Sequence, residues 1–465
     1  MASPFLTTPF TTTGSVILDT DSYKLHHYQM YPKGTEKVYS YFECRKGATY
    51  TEAKMVGLQP ILQELAVPVT QAELDEAYEL SVEHGLPLNR EGWQYIVDAH
   101  QGRLPLEIKS IPEGTVLPIS NALLTVENTD EQVPWLTNYC ETALSRVWYP
   151  ITVASMSWDA KKTLRKYLQD TSDDQGILDF QLHDFGARGT TCREQAMIGG
   201  AAHLSNFMGT DTVIALRFLK QVYKAPTAAG YSVNATEHSI MTSLGKGGEE
   251  ELFEHLLDTY PTGILSVVID SYDYRNFILG VSRKFKDKIL ARDGKLVFRP
   301  DSGEPVYTSL DVFLMLEEVF GITENRKGFR MLDPKVGTLW GDGIGTPDMV
   351  NILENYKKNY VSSANIVFGM GGGLLQKVNR DTQRCAFKCS AQKRSGSWVD
   401  IMKNPLDVSK VSKKGRLGVI ETESGILTVN QNDPRYSADK DLLLTSYLNG
   451  EVTREYDLND LRRNW

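Results

Sequence analysis

The chain has 465 residues, of which 41% are hydrophobic and 23% charged, with 50 basic against 59 acidic side chains and a formal net charge of −9. That length exceeds a single core and predicts two domains or a barrel with an added lobe. The acidic balance disfavours non-specific nucleic-acid binding, which needs clustered positive charge, and no apolar run is long enough to cross a bilayer.

From the amino end, residues 1–24 carry no basic stretch followed by an apolar one, so no secretory signal is expected. The five cysteines, Cys44, Cys140, Cys192, Cys385 and Cys389, form no C-x-x-C pair, which argues against a disulfide framework or a zinc site and fits a reducing cytoplasm. The first 150 residues or so mix strand-like runs, KVYSYFECR (37–45) and LPLEIKSIPEGTVLPISNALLTVENT (104–129), with a helical stretch, TQAELDEAYELSVEHG (70–85). This mixture predicts an α+β lobe.

Beyond about Met156 the pattern becomes that of a parallel α/β unit. Helical stretches (155–172, 192–207 and 309–321) alternate with apolar runs that break into Asp, Gly, Ser or Arg: ILDFQLHDFGARG, ILSVVIDSYD, KLVFRPDSG, VGTLWGDGIG and NIVFGMGGG. In an α/β barrel the loops after the strands' carboxyl ends build the site, so this habit would gather Asp184, Asp270, Asp301, Asp342 and Gly371 to Gly373 at one mouth. The alternative is that Asp and Gly only punctuate strand ends as turn formers.

Several of these loops suit particular chemistry. FGMGGGLLQKVNRD (368–381) sets three glycines between a strand and a helix, a possible phosphate cradle, with Arg380 further on as a second anion contact. RPDSG (299–303) brings Arg299 close to Asp301, suited to a substrate with phosphate and hydroxyl groups or to a simple ion pair within the loop. Asp270, Asp273 and Asp342 could hold ribose hydroxyls or, through water, Mg2+. In LHDFGARG (182–189) Phe185 lies between two possible anion contacts, His183 and Arg188, and its ring would stack on a flat heterocycle or join the core. Asp211, in FMGTDT, can accept from an amide NH2 but would repel a carboxylate, unless it is only a surface or capping residue. His238 follows Glu237 in the small, polar run GYSVNATEHSI (230–240), where it is either exposed and inert or a general base or phosphoryl acceptor.

Taken in order, DTDSYK (19–24), KVYSYFECR, WYPITVA, LHDFGARG, GTDT, GYSV with EHS, DSYD, RPDSG, GDG, FGMGGGLLQKVNRD, FKCS and SKKGRL resemble the nicotinamide phosphoribosyltransferases over about residues 19–462. The resemblance implies a type II phosphoribosyltransferase of the α/β class. The organisation expected is an irregular α/β barrel (156–389) with an additional α+β lobe built from N- and C-terminal segments (1–155 plus 390–465). It implies a cytoplasmic homodimer with shared active sites that makes nicotinamide mononucleotide and pyrophosphate from nicotinamide and phosphoribosyl pyrophosphate (PRPP). Mg2+ is implied, with ATP as co-substrate acting through a phosphorylated histidine, in NAD salvage. No nucleic acid or membrane partner is expected.

By the same resemblance His238 is the phosphorylated residue, and Arg299 and Asp301 belong to the catalytic group. Phe185 and, from the partner subunit, Tyr23 would sandwich the pyridine ring, and Asp211 would read the carboxamide. Arg188, Ser232, Asp270, Gly341, Asp342, Gly371 and Gly372 match substrate contacts, while Arg45, Arg380, Lys388 and Lys403 match the group that holds the pyrophosphate and ATP phosphates. The metal ligands are not assigned. The chain departs from the family pattern at Ala187, at NAT before EHS, and at Ala386. Two rivals remain: a nicotinate phosphoribosyltransferase, opposed by Asp211, and a non-catalytic binding dimer of the same fold.

Overall fold

The computed structural model describes residues 15–341, 343–402 and 412–463. The chain divides into two units, one comprising the described residues of Met1–Ser155, Phe218–Thr227 and Asn379–Trp465, the other Met156–Arg217 and Ala228–Val378.

The first unit is α+β. Its main sheet has seven antiparallel strands in the order Ser397–Asp400, Cys385–Arg394, Thr35–Cys44, Ala122–Asn128, Leu106–Ser110, Leu444–Leu448 and Glu451–Val452. The predicted helix at 70–85 forms over Gln71–Glu83, started by a capping box in which Thr70 Oγ1 accepts from Glu73 N (3.3 Å) and Glu73 Oε2 accepts from Thr70 N (2.8 Å). The expected boundary at 389/390 falls earlier, at 378/379, because Cys385–Arg394 pairs along its length with Thr35–Cys44. Phe218–Thr227, expected in the barrel, also belongs here: Tyr223 is fully buried and its hydroxyl donates to Glu113 Oε2 (2.7 Å). All five cysteines are free thiols.

The second unit is an α/β barrel of parallel strands: β1 (Leu182–Asp184), β2 (Gly209–Thr210), β3 (Asn234–Ala235), β4 (Thr262–Val268), β5 (Asp293–Arg299), β6 (Val336–Trp340) and β7 (Ile366–Met370). Their order is β2-β1-β7-β6-β5-β4-β3, every pairing is parallel, and a bridge from Gly209 to Tyr231 joins the two ends. Alternation along β5 shows how the barrel works: Lys295, Val297 and Arg299 turn to the lumen, while Phe298 packs outward on Phe320 with ring centroids 5.9 Å apart. Phe320 ends the helix Pro305–Phe320, which starts with proline in its first turn and Glu304 accepting from Tyr307 N (2.8 Å). The five apolar runs read from the sequence are the longer strands together with β1, and each breaks at its carboxyl end as expected. No helix among the described residues is long and apolar enough to cross a membrane.

Candidate active site

The loops after the strands' carboxyl ends surround a cavity of about 600 Å3 within the barrel unit. Phe185, Arg188, Asp211, His238, Arg299 and Asp301 all line it, as do Gly341, Gly371 and Gly372. The loops are tied together by their backbones, since Phe185 N donates to Met370 O at the end of β7 (3.0 Å) and Asp211 N donates to Asp184 O at the end of β1 (2.9 Å). Phe185 lies directly on glycine: a Cβ at Gly369 would fall 2.0 Å from its Cε2, and one at Gly341 would fall 3.1 Å away. No other residue at 369 would leave the ring where it is.

At the triple glycine, a Cβ at Gly373 would sit 2.7 Å from Ile344 O, so the two loops approach closely only because a side chain is missing. Arg188 and Lys377 stand on the same cavity as these backbone amides, giving it a cationic, anion-accepting wall. Arg299 Nη2 donates to Thr236 O (2.9 Å), and its Nε is buried with no hydrogen-bond partner among the described residues. An orphaned guanidinium donor beside a cavity suits an oxygen-rich ligand.

His238 opens the short helix His238–Met241 and presents a half-exposed ring. Its Nε2 lies 3.3 Å from Asp270 Oδ1 and its Nδ1 3.9 Å from Asp301 Oδ2. Asp270 is buried beneath it, its side chain 3% exposed against 49% for His238, and is held by Asp301 N (2.9 Å) and the Ser302 hydroxyl. This small polar loop keeps the ring accessible while a fixed carboxylate orients it.

Not every predicted residue joins the cavity. Ser232 lies in a second, apolar space of about 640 Å3 in the barrel lumen, which shares Phe185, Asp211 and Arg299 with the first, and its hydroxyl donates to Asp211 Oδ1. His183 is corrected: it turns into that lumen, and burial holds its pKa below the ordinary value, so it is a neutral wall and not an anion contact. Tyr23, Arg45, Arg380 and Lys388 belong to the other unit, where Tyr23 is 57% exposed and Arg45 Nε donates to Arg384 O (3.2 Å). Asp342 and Lys403 lie outside the described residues. Among the described residues no group of three or more His, Cys, Asp or Glu side chains is arranged to hold a metal ion. Asp270 and Asp301, beside His238, are carboxylates that could supplement phosphate oxygens around a divalent ion.

Sequence reasoning missed Gln376 and Lys377 on the cavity wall, although Lys377 directly follows the glycine-rich turn in GGGLLQK. Asp184, expected at the mouth, is instead fully buried and does not line the cavity.

The parallel barrel gathers glycine amides, guanidinium groups, an aromatic ring and an accessible histidine at the carboxyl ends of its strands, a set of groups chemically suited to a small phosphorylated molecule with a flat ring. Residues 180–448 match the nicotinate phosphoribosyltransferase (NAPRTase) family, and residues 15–108 match the nicotinamide phosphoribosyltransferase N-terminal domain. The chain belongs to the nicotinate phosphoribosyltransferase family of pentosyltransferase enzymes.

Over 460 residues, 96% of this chain and 97% of the relative, it is 43% identical to the nicotinamide phosphoribosyltransferase of Xanthomonas campestris pv. campestris (strain 8004). It is 32% identical over 482 residues, 95% of each chain, to the nicotinamide phosphoribosyltransferase of Acinetobacter baylyi (strain ATCC 33305 / BD413 / ADP1). The fold is similar to solved structures of nicotinate-nucleotide pyrophosphorylase from Pyrococcus furiosus (TM-score 0.60, 14% identity, 98% of this chain and 96% of that one) and of human nicotinic acid phosphoribosyltransferase (TM-score 0.59, 14% identity, 95% and 92%).

Proposed function

We propose that this chain is a nicotinamide phosphoribosyltransferase. The pyridine nitrogen of nicotinamide attacks C1′ of PRPP, the bond from C1′ to the pyrophosphate oxygen breaks, and nicotinamide mononucleotide and pyrophosphate leave. The observation that carries this reading is the joining of Phe185 and Asp211 to Arg188, Arg299 and the glycine-rich turn in one cavity. Phe185 offers a face for the ring, Asp211 accepts from the carboxamide NH2, and the cationic and amide-lined wall takes the phosphates. As C1′ loses its leaving group it gains oxocarbenium character, and charge concentrated on the departing pyrophosphate is what the wall must stabilise. The printed names of the relatives at 43% and 32% identity agree with nicotinamide as substrate.

In this reading ATP is a co-substrate that phosphorylates His238, and hydrolysis of the phosphohistidine follows transfer. Asp270, accepting from Nε2–H, would leave Nδ1 with its lone pair free to receive the phosphoryl group beside Asp301. Mg2+ would neutralise the phosphates as they bind. The chain would act as a cytoplasmic homodimer in NAD salvage, the partner subunit supplying a second aromatic face; Val213, two residues from Asp211 and 73% exposed, offers apolar surface for such an interface.

The test is product formation from PRPP and Mg2+ with nicotinamide or nicotinate, each with and without ATP, for the wild type and His238→Ala. Product from nicotinamide alone, stimulated by ATP in the wild type but not in the variant, is expected. Product from nicotinate instead would move the chain to its sister activity, and no product from either would favour a non-catalytic role.

A further inference from the structure

Behind the ring end of the cavity lies an acid that the reaction itself does not require. Asp184 closes β1 and is fully buried. Its backbone carbonyl accepts from Asp211 N (2.9 Å) and its Oδ1 accepts from Gly186 N (2.7 Å), so one residue fixes both the loop that carries Phe185 and the loop that carries Asp211. The other oxygen, Oδ2, is buried with no hydrogen-bond partner among the described residues. It turns toward the helix Arg193–Leu204, where Gly200 leaves the room for it: a Cβ there would fall 3.2 Å from Oδ2.

Burial pushes the Asp184 carboxyl up to about 6, and the charge of Asp211 adds to the rise. The surroundings give no cation to offset it. From the helix Arg193–Leu204 the titratable neighbour is His203, which burial pushes down to about 3 and which is therefore neutral. His183, on the same strand, is likewise depressed by burial. β7 and β2, which flank β1, carry no titratable side chain. The helix Val213–Val222 presents Ala215 at Gly200, with Arg217 exposed. Asp211 is the charge that remains.

We propose that Asp184 is a specificity-determining residue, which when ionised places a second negative charge behind Asp211 and so makes the ring end of the cavity reject an acid and take the neutral amide. The inference rests on the nicotinamide reading above. Arg188 and Arg299 stand on the same cavity and would by themselves favour an acidic ring, so selection for the amide needs carboxylates that outweigh them. Asp211 faces the ligand; Asp184, too deep to touch it, acts through the field and by holding both loops. As the pH falls through the range in which Asp184 takes up its proton, rejection of the acid weakens while use of the amide is unchanged.

The experiment is the ratio of kcat/KM for nicotinamide to that for nicotinate between pH 5.5 and 8, for the wild type and for Asp184→Asn, which keeps the Oδ1 acceptor for Gly186 N but not the charge. A wild-type ratio that falls about tenfold as the pH drops across this range, together with an Asp184→Asn ratio that is flat and about tenfold lower at pH 7.5, is expected. An unchanged ratio in the variant overturns the inference, as does a wild-type ratio with no inflection, which decides the matter even if the variant fails to fold. A purely structural role would alter the two substrates alike. Calorimetric Kd values for both ring ligands, over the same pH range, give the same ratio without turnover. Wild-type preference for the amide without the pH dependence therefore refutes Asp184 alone, whereas wild-type preference for nicotinate refutes both the substrate reading and the inference.

Discussion

His238 Nε2 stands 3.3 Å from Asp270 Oδ1, so a half-exposed imidazole rests on a carboxylate whose own side chain is almost completely buried. The carboxylate can hold one nitrogen protonated and leave the other as the nucleophile. Asp270→Asn should therefore lower acid-labile phosphate incorporated from γ-labelled ATP by about 10- to 100-fold, and His238→Ala should abolish it, while ATP-independent product formation persists in His238→Ala. Full labelling of Asp270→Asn would remove Asp270 from the phosphorylation step.

Asp211, one of three carboxylates on the cavity with Glu237 and Asp301, has acceptor oxygens that suit an amide and oppose an acid. Asp211→Asn should raise kcat/KM for nicotinate and lower it for nicotinamide, moving their ratio by about 100-fold. A ratio that stays put would mean that Asp211 serves Ser232, whose hydroxyl it accepts, and not the ligand.

Phe185 can be displaced without being mutated. Because a Cβ at Gly369 would overlap its ring at 2.0 Å, Gly369→Ala should raise KM for the ring substrate about tenfold or more with a smaller change in KM for PRPP. Circular dichroism matching the wild type would show that the fold is retained, and equal losses for both substrates would argue that Phe185 has no ring-specific part.

Lys377 lines the cavity beside the glycine-rich turn. Lys377→Ala should raise KM for PRPP by about tenfold, with Lys377→Arg recovering most of the loss, since a solvent-facing phosphate contact contributes about 1–2 kcal/mol. Initial-rate kinetics with varied PRPP check this, and an unchanged KM would leave Lys377 as a surface charge.

Glu113 is a stability test in the other unit. Fully buried, it accepts from Gly57 N (2.9 Å), Gln59 N (2.6 Å) and the Tyr223 hydroxyl (2.7 Å) at the start of the helix Leu58–Leu65. Glu113→Ala strands those donors and should cost about 3 kcal/mol, against about 1 kcal/mol for Glu113→Gln, by urea unfolding. Burial raises the Glu113 carboxyl above its ordinary value. Its protonated form therefore favours the folded state, and that contribution, full below the unfolded pKa, is lost as the pH rises through the folded one. Glu113→Gln should accordingly compare better with the wild type at pH 8 than at pH 5.

Much of this was legible in the chain itself. The five apolar runs became barrel strands because β-branched and apolar residues buried on both faces leave little alternative, as the fully buried Val336–Trp340 illustrates. Their terminal Asp, Gly and Arg residues then had to meet at one end, since parallel strands share one direction. So Phe185, Arg188, Arg299 and Asp301, at the ends of two of those runs, share one cavity as strand order implies, whereas Asp211 and His238, which line it too, lie outside the runs and were pointed to by the resemblance. What the tertiary structure alone decided were the orientations and environments. His183 and Phe185 are two residues apart in one motif, yet one turns to an apolar lumen and loses its charge while the other lies on Gly369 at the cavity. Phe218–Thr227 joined the first unit through the Tyr223 to Glu113 bond, a contact 110 residues apart that no local periodicity encodes. Asp184 and Asp211 look alike as letters, yet Asp184 is buried with its carboxyl pushed up to about 6 while Asp211 is exposed on the cavity, because a carboxylate's chemistry depends on its solvation, and solvation exists only once the chain has folded around it.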